Sequence, residues 1–365
     1  MYIKRLILSN FKNIVSADLS FSPGINCICG DNGEGKTNLL DAVHYLSMTK
    51  SFLQSSDRFT YTYGASEATL CGTYDVDGYE EKIALSVKSQ GEKTIKKNDK
   101  AYPRISEHIG HIPVVIISPS DTSLIHDSGE ERRRFMNIVL SQTDPQYLRA
   151  MQSYNRVLQQ RNKLLKSDTP PSEILLEAFS GQLNRDADYI FRKRGELAQE
   201  LNALAAGFYA RLSDGKESIS LEYSSDLNRA TMAQLLKSAY QRDIVLKYTS
   251  VGIQRDDYDF MMNGYPLKKC ASQGQQKTFL ISLKLAQLDM TRRRCGHSPI
   301  LLLDDVFDKL DMKRVELLMN MVSKEGFGQL FVTDSNKVRV SDLVKKLDSE
   351  SRFYTVTKGE FSEVK

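Results

Sequence analysis

An α/β fold with a helical arm inserted between its two halves is what the sequence predicts, and three observations carry that reading. An apolar stretch, Ile25 to Cys29, runs into the glycine-rich segment Gly30-Asp31-Asn32-Gly33-Glu34-Gly35-Lys36-Thr37 and then into a helical pattern. Near the other end, Ile300-Leu301-Leu302-Leu303 reads as a strand buried on both faces and ends in Asp304-Asp305. Between them, the 41 residues from Pro171 to Arg211 repeat apolar or small residues at steps of three and four.

Taken in order, the chain opens with strand-like alternation through Ile3, Leu6 and Leu8, then Phe21 and the run into Cys29. After the glycine-rich loop, Leu39, Leu40, Ala42, Val43, Tyr45 and Leu46 follow helical spacing. Residues 67–102 read as antiparallel hairpins, with turns at Asp77-Gly78, Gln90-Gly91 and Asn98-Asp99. Pro113 to Ile117 is a short buried strand. Beyond about residue 128, Glu130–Leu140 and Pro145–Lys166 read as helices, stopped by Asp168-Thr169-Pro170-Pro171. The long helix that follows lines up Leu176, Phe179, Leu183, Ala187, Ile190, Leu197, Leu201, Leu204 and Phe208, a seam interrupted by Arg194. Such a helix extends roughly 60 Å and packs on its neighbour through that seam. Strand character returns at Ser218–Tyr223, and the α/β pattern resumes from about Tyr248, with strands at Ile300–Leu303 and Gln329–Val332. The predicted division is 1–125 with 245–365 as one domain and 126–244 as a helical arm.

The composition narrows the class. The 365 residues carry 50 Lys+Arg against 46 Asp+Glu, and 41% are hydrophobic, which excludes disordered and fibrous chains. The length predicts about two domains. No apolar run approaches the ~20 residues of a membrane span. Met1-Tyr2-Ile3 breaks at once into Lys4-Arg5, unlike a secretory signal. The expectation is a cytoplasmic protein. Five scattered cysteines fit reduced thiols, and Cys27 and Cys29, two apart on a strand, face opposite sides and share no metal. A formal charge of +4 is too small to identify a partner, so any nucleic-acid contact must rest on local basic clusters.

The loop Gly30 to Thr37 fits the phosphate-binding pattern G-x-x-x-x-G-K-[ST]. Its glycines let backbone N–H groups converge on phosphate oxygens, and the next helix aims its positive end at the same place. Lys36 reaches the β/γ-phosphates, and Thr37 coordinates Mg²⁺. A parallel strand ending in acids places Asp304 at the same Mg²⁺ and Asp305 beside the attacking water. A third element, Ala271-Ser272-Gln273-Gly274-Gln275-Gln276-Lys277, opens a helix continued by Leu280, Leu283, Leu285, Ala286 and Leu288, and forms a second anion site. Phe307-Asp308-Lys309-Leu310-Asp311 follows the acid pair.

This order resembles the ATPases of the ABC/SMC superfamily: a P-loop, an LSGGQ-like signature before a helix, a strand ending in two acids, and a Leu-Asp loop. Lys36 and Ser272 are 236 residues apart, too far for a transporter subunit and too close for a long SMC coiled coil. The whole chain resembles the RecF family of bacterial recombination mediators. The matching segments are Leu8 to Asn13, Gly30 to Asn38, Ser118 to Asp121, Glu131 to Phe135, Tyr154 to Arg156, Gln160 to Asn162, Val251 to Asp257, Ser272 to Gln276 and Leu301 to Asp311. The resemblance implies a head-to-head dimer around two ATP molecules that binds DNA, hydrolyses ATP slowly, and acts with RecR and RecO to load RecA. It implies that Asn32 to Asn38 bind ATP and that Ser272 and Gly274, with Gln275 beside them, meet the partner's γ-phosphate. It also implies that Asp304 binds the metal through water, that Asp305 polarises the hydrolytic water, and that Asp311 lies at the dimer interface. Lys12, Leu53, Ile253 and Gln254 depart from the family pattern, and Asp334 stands where transporters carry a switch histidine.

Candidate DNA contacts are Arg132, Arg133, Arg134, Lys96 and Lys97, which predict sequence-independent, salt-sensitive binding. On a helix the three arginines fan over about 200° and cannot share one groove. Arg192 to Arg194 and Arg292 to Arg294 read as solvated surface. Two other readings stay open on residues alone. A P-loop kinase for a small molecule leaves the Ser272 segment and the arm unexplained. A nuclease-linked ATPase needs an acidic metal domain, for which the 54 residues past Asp311 are too few.

Overall fold

The run Ile300–Leu303 is apolar at every position because the strand it forms, Ile300–Asp304, is buried on both faces inside a six-stranded sheet. The structure, a computed structural model, describes residues 1–54, 56–307, 310–324, 326–347 and 350–364. The sheet order is Glu360–Val364, Ser351–Thr357, Ile25–Cys29, Leu330–Asp334, Ile300–Asp304 and Val114–Ile117. Its pairs are parallel except the terminal hairpin of Ser351–Thr357 with Glu360–Val364. The register sets Asp304 beside Thr333 and Asp334 beside Cys29, so the polar ends of three central strands emerge at one edge.

A second sheet, antiparallel, takes the order Ile14–Ser20, Tyr2–Phe11, Glu67–Val76, Tyr79–Lys88, Lys93–Lys97 and Lys100–Ala101. Its hairpins turn where the sequence places them, with positive φ at Asp77, Gly78, Gly91, Asn98 and Asp99. Helix Lys36–Met48 packs against strands of both sheets, and Leu39, Leu40, Val43 and Leu46 share a core with Phe11, Leu70, Tyr74, Leu302 and Phe331.

The chain divides into two compact units, one of Met1–Thr122, Arg211–Gly215 and Gln273–Lys365, the other of Ser123–Ala210 and Lys216–Ser272. The second unit therefore takes in residues 245–272, which the sequence assigns to the ATPase domain. The reason is strand pairing: Asp257–Met262 runs antiparallel to Ile219–Ser224, from Asp257 beside Ser224 to Met262 beside Ile219. Helices Gly129–Thr143, Pro145–Leu165 and Glu173–Ser213 as far as Ala210 also belong to it. In the 41-residue helix Glu173–Ser213 the seam residues Leu176, Leu183, Ala187, Ile190, Leu197 and Leu201 are buried. Arg194, which looked like an interruption, is 1% exposed and continues the seam as a buried charge. Among the described residues no helix is long and apolar enough to cross a membrane.

Candidate active site

The glycine-rich loop is shaped by two residues in the left-handed region, Gly33 at φ +87 and Gly35 at φ +116. Gly35 is required twice, since a Cβ there would also lie 2.9 Å from the Asn13 side chain. The curl turns consecutive N–H groups toward one concavity. Lys36, 4% exposed, folds back into it and donates to Gly30 O at 2.7 Å, Asp31 O at 3.0 Å and Asn32 Oδ1 at 3.4 Å. An ammonium held on loop carbonyls is a cation stored inside the concavity.

Across the sheet, Thr37 Oγ1 donates to Asp304 Oδ1 at 2.9 Å, joining residues that the sequence separates by 267 positions. Thr333 Oγ1 donates to the same carboxylate at 2.8 Å. Burial pushes the Asp304 carboxyl up, and the bonds from Thr333 and Thr37 oppose that shift. A hydroxyl and a carboxylate within 3 Å are hard oxygen donors, and this set fits a Mg²⁺ that also keeps phosphate ligands. Asp305 turns out of the strand at φ +45, its N–H donating to Thr333 Oγ1 at 3.1 Å. Asp304 is buried and Asp305 half-buried.

The loop is braced from behind by residues to which the sequence gave no role. Asn13 Nδ2 donates to Glu34 O at 3.2 Å, and Asn13 Oδ1 accepts from Asn38 Nδ2 at 2.7 Å. The terminal hairpin adds Gly359 N–H to Glu34 O at 2.8 Å, and Lys358 N–H to the Glu34 carboxylate. Asn13→Ala removes both side-chain braces, and we expect ATP affinity to fall about tenfold, near the 1.4 kcal/mol of one or two lost hydrogen bonds. Titration with a fluorescent ATP analogue, alongside an unchanged melting temperature, checks it.

The signature turn places Ser272 directly before helix Gln273–Cys295, with Ser272 and Gln273 exposed and Gly274 and Gln275 half-buried. Asp311 caps helix Met312–Lys324 by accepting from Arg314 N at 2.9 Å. The Arg314 guanidinium lies 3.5 Å from the position of a Cβ on Gly274, so the structure gathers Gly274 and Asp311 about one cation that the sequence reading missed. Asp308 and Lys309 lie outside the described residues. The segment Ser118 to Asp121 is tied to the signature helix: Asp121 accepts from Ser118 N at 2.8 Å and pairs with buried Lys284 of that helix at 2.7 Å. Asp334 is buried and forked by Arg339 at 2.7–3.0 Å.

Residues 2–360 match the family model for the RecF/RecN/SMC N terminal domain. A protein of Bacteroides fragilis called DNA replication and repair protein RecF is 40% identical over 365 residues, covering 100% of this chain and 99% of its own. The chain belongs to the RecF family. A RecF of Porphyromonas gingivalis is 40% identical over 99% of each chain. The solved structure of the recombination mediator protein RecF with ATP superposes with a TM-score of 0.89 at 30% identity, covering 100% of this chain and 98% of that one. An SMC head bound to the winged-helix domain of ScpA matches at TM-score 0.58 and 16% identity, a likeness of fold. The head is the ABC/SMC-type ATPase fold that the motif order implies.

In this RecF-family chain the basic candidates are already occupied to different degrees. Arg132 forks Asp257 through Nε at 2.6 Å and Nη2 at 3.0 Å. Arg133 Nη1 donates to Asp256 O at 2.9 Å, and Arg134 approaches Glu131 at 3.9 Å. Lys97 pairs with Glu81 at 2.8 Å, while Lys96 is exposed. Lys12 is tied to buried Asp41 of the P-loop helix at 2.5 Å. Arg132 and Arg133 therefore hold the 256–257 turn, a use of arginine that consecutive basic residues in a sequence do not reveal.

Proposed function

We propose that the chain is an ATP-switched, DNA-binding recombination mediator, cytoplasmic, that pairs with a second copy when nucleotide is bound. The observation that carries it is the Thr37 hydroxyl against the Asp304 carboxylate beside the lysine-filled loop, in a chain 40% identical to RecF proteins over its whole length. ATP with Mg²⁺ would supply the scissile phosphoanhydride and its charge neutralisation. Lys36 and the N–H groups of Asn32 to Asn38 bind the β- and γ-phosphates. Thr37 and Asp304 would hold the metal, and Asp305 orients a water and accepts its proton. Ser272, Gly274 and Gln275 of one copy meet the γ-phosphate bound by the other, with Asp311 at the seam between them. Basic residues of both copies, Lys96 and Lys97 among them, then contact DNA phosphates without reading bases. Acting with RecR and RecO, such a dimer marks DNA for RecA loading, and slow hydrolysis releases it.

The test is DNA affinity with and without ATP over a salt series. The expected result is at least a tenfold gain with ATP and a linear fall of log affinity with log salt concentration. Affinity indifferent to nucleotide would defeat the mechanism.

A further inference from the structure

Resting on that reading, we propose that the tandem carboxylates Asp256 and Asp257 form a clamp through which the long helix sets the attitude of the signature turn, with Arg194 and Arg132 as positioning residues. Successive residues at the head of a strand point to opposite faces, and here each finds a different arginine. Asp256 is buried and accepts from Arg194 Nη1 at 2.6 Å and from the Tyr223 hydroxyl. Arg194 also donates to Ile253 O at 2.7 Å, so it holds both ends of the turn that leads into the strand. Asp257 receives the two-pronged contact from Arg132 of helix Gly129–Thr143, and Gly129 permits the approach, since a Cβ there would lie 2.7 Å from the Asp257 carboxylate.

Beyond the clamp the path to Ser272 is short and tied down. Strand Asp257–Met262 is paired along its length with Ile219–Ser224, Tyr265–Pro266 folds back on it, and helix Leu267–Cys270 ends two residues before Ser272. Lys268 of that helix donates to His126 O at 2.5 Å, beside the helix that carries Arg132. A rotation of the long helix at Arg194 therefore shifts Asp256 and the strand Asp257–Met262, from which Tyr265–Pro266 and helix Leu267–Cys270 lead on to Ser272. Apolar side chains would fill such a site at no loss of stability. Two charged clasps on adjacent residues fix direction instead.

Asp257→Asn removes one charge while keeping shape, at a side chain 32% exposed. ATP binding by the monomer should stay within twofold of wild type, because the P-loop lies in the other unit. ATP-driven dimerisation, followed by sedimentation, should weaken at least tenfold with no change in melting temperature. Dimerisation equal to wild type, or a parallel loss of ATP binding, would overturn the clamp. Should that variant fail to fold, Arg132→Lys keeps the charge and loses the fork, and the same two outcomes decide. Wild-type protein that stays monomeric in ATP would remove the underlying reading itself, a failure recognised without any variant.

Discussion

Asp305→Asn should bind ATP within a few-fold of wild type, hydrolyse it at least a hundredfold more slowly, and accumulate as a dimer in ATP. The magnitude is that of a positioned general base removed from its water. The backbone makes this substitution clean. Asp305 sits at φ +45, a left-handed conformation that Asp and Asn both accept and most residues do not, so the turn out of the strand survives. Its N–H bond to Thr333 Oγ1 is a main-chain contact and also survives. Asp304, which accepts from Thr37 and Thr333, is untouched. Phosphate release in single turnover, with sedimentation of the same sample, reads both halves of the expectation. A variant that stays monomeric at saturating ATP would refute the switch, and one that turns over normally would move the base elsewhere.

What the sequence showed of this site was local. Gly33, Gly35 and Lys36 are legible because loop curvature and phosphate charge demand those residue types at that spacing. The acid pair is legible because an apolar run must end at a sheet edge. The long helix is legible because burial repeats every three to four residues. The rest depends on partners far along the chain. Asn13 braces a loop more than twenty residues away, Lys284 finds Asp121, and Arg132 finds Asp257 125 positions on. A charged residue in a sequence announces its charge and conceals its counter-ion. Consecutive arginines suggest a DNA surface, and only the structure adds that Arg132 and Arg133 also fasten the 256–257 turn. The reach of the second compact unit past residue 245 is hidden for the same cause, since nothing local in Ile219–Ser224 says that it pairs with Asp257–Met262.

Arg194 gives the largest expected loss of stability. Its guanidinium is buried beside Asp256 and bonded to Tyr147 Oη at 3.1 Å, Asn137 Oδ1 at 3.0 Å and Ile253 O, so four segments meet on one side chain. Arg194→Met fits the seam that the neighbouring Ile190 and Leu197 define, and restores the apolar repeat that the sequence appeared to want. It should nevertheless destabilise the protein by about 3–5 kcal/mol, because Asp256 would remain buried without a counter-charge. Burial already pushes that carboxyl up, with Arg194 as the leading opposing influence, so the variant's carboxyl would be driven toward the protonated form. Adding Asp256→Asn should then recover a substantial part of the loss, and the two substitutions together should cost less than the sum of each alone. Urea unfolding of the four proteins closes the cycle. Strict additivity would mean that the pair is not the hub the distances describe, and that the long helix is held by its apolar seam alone.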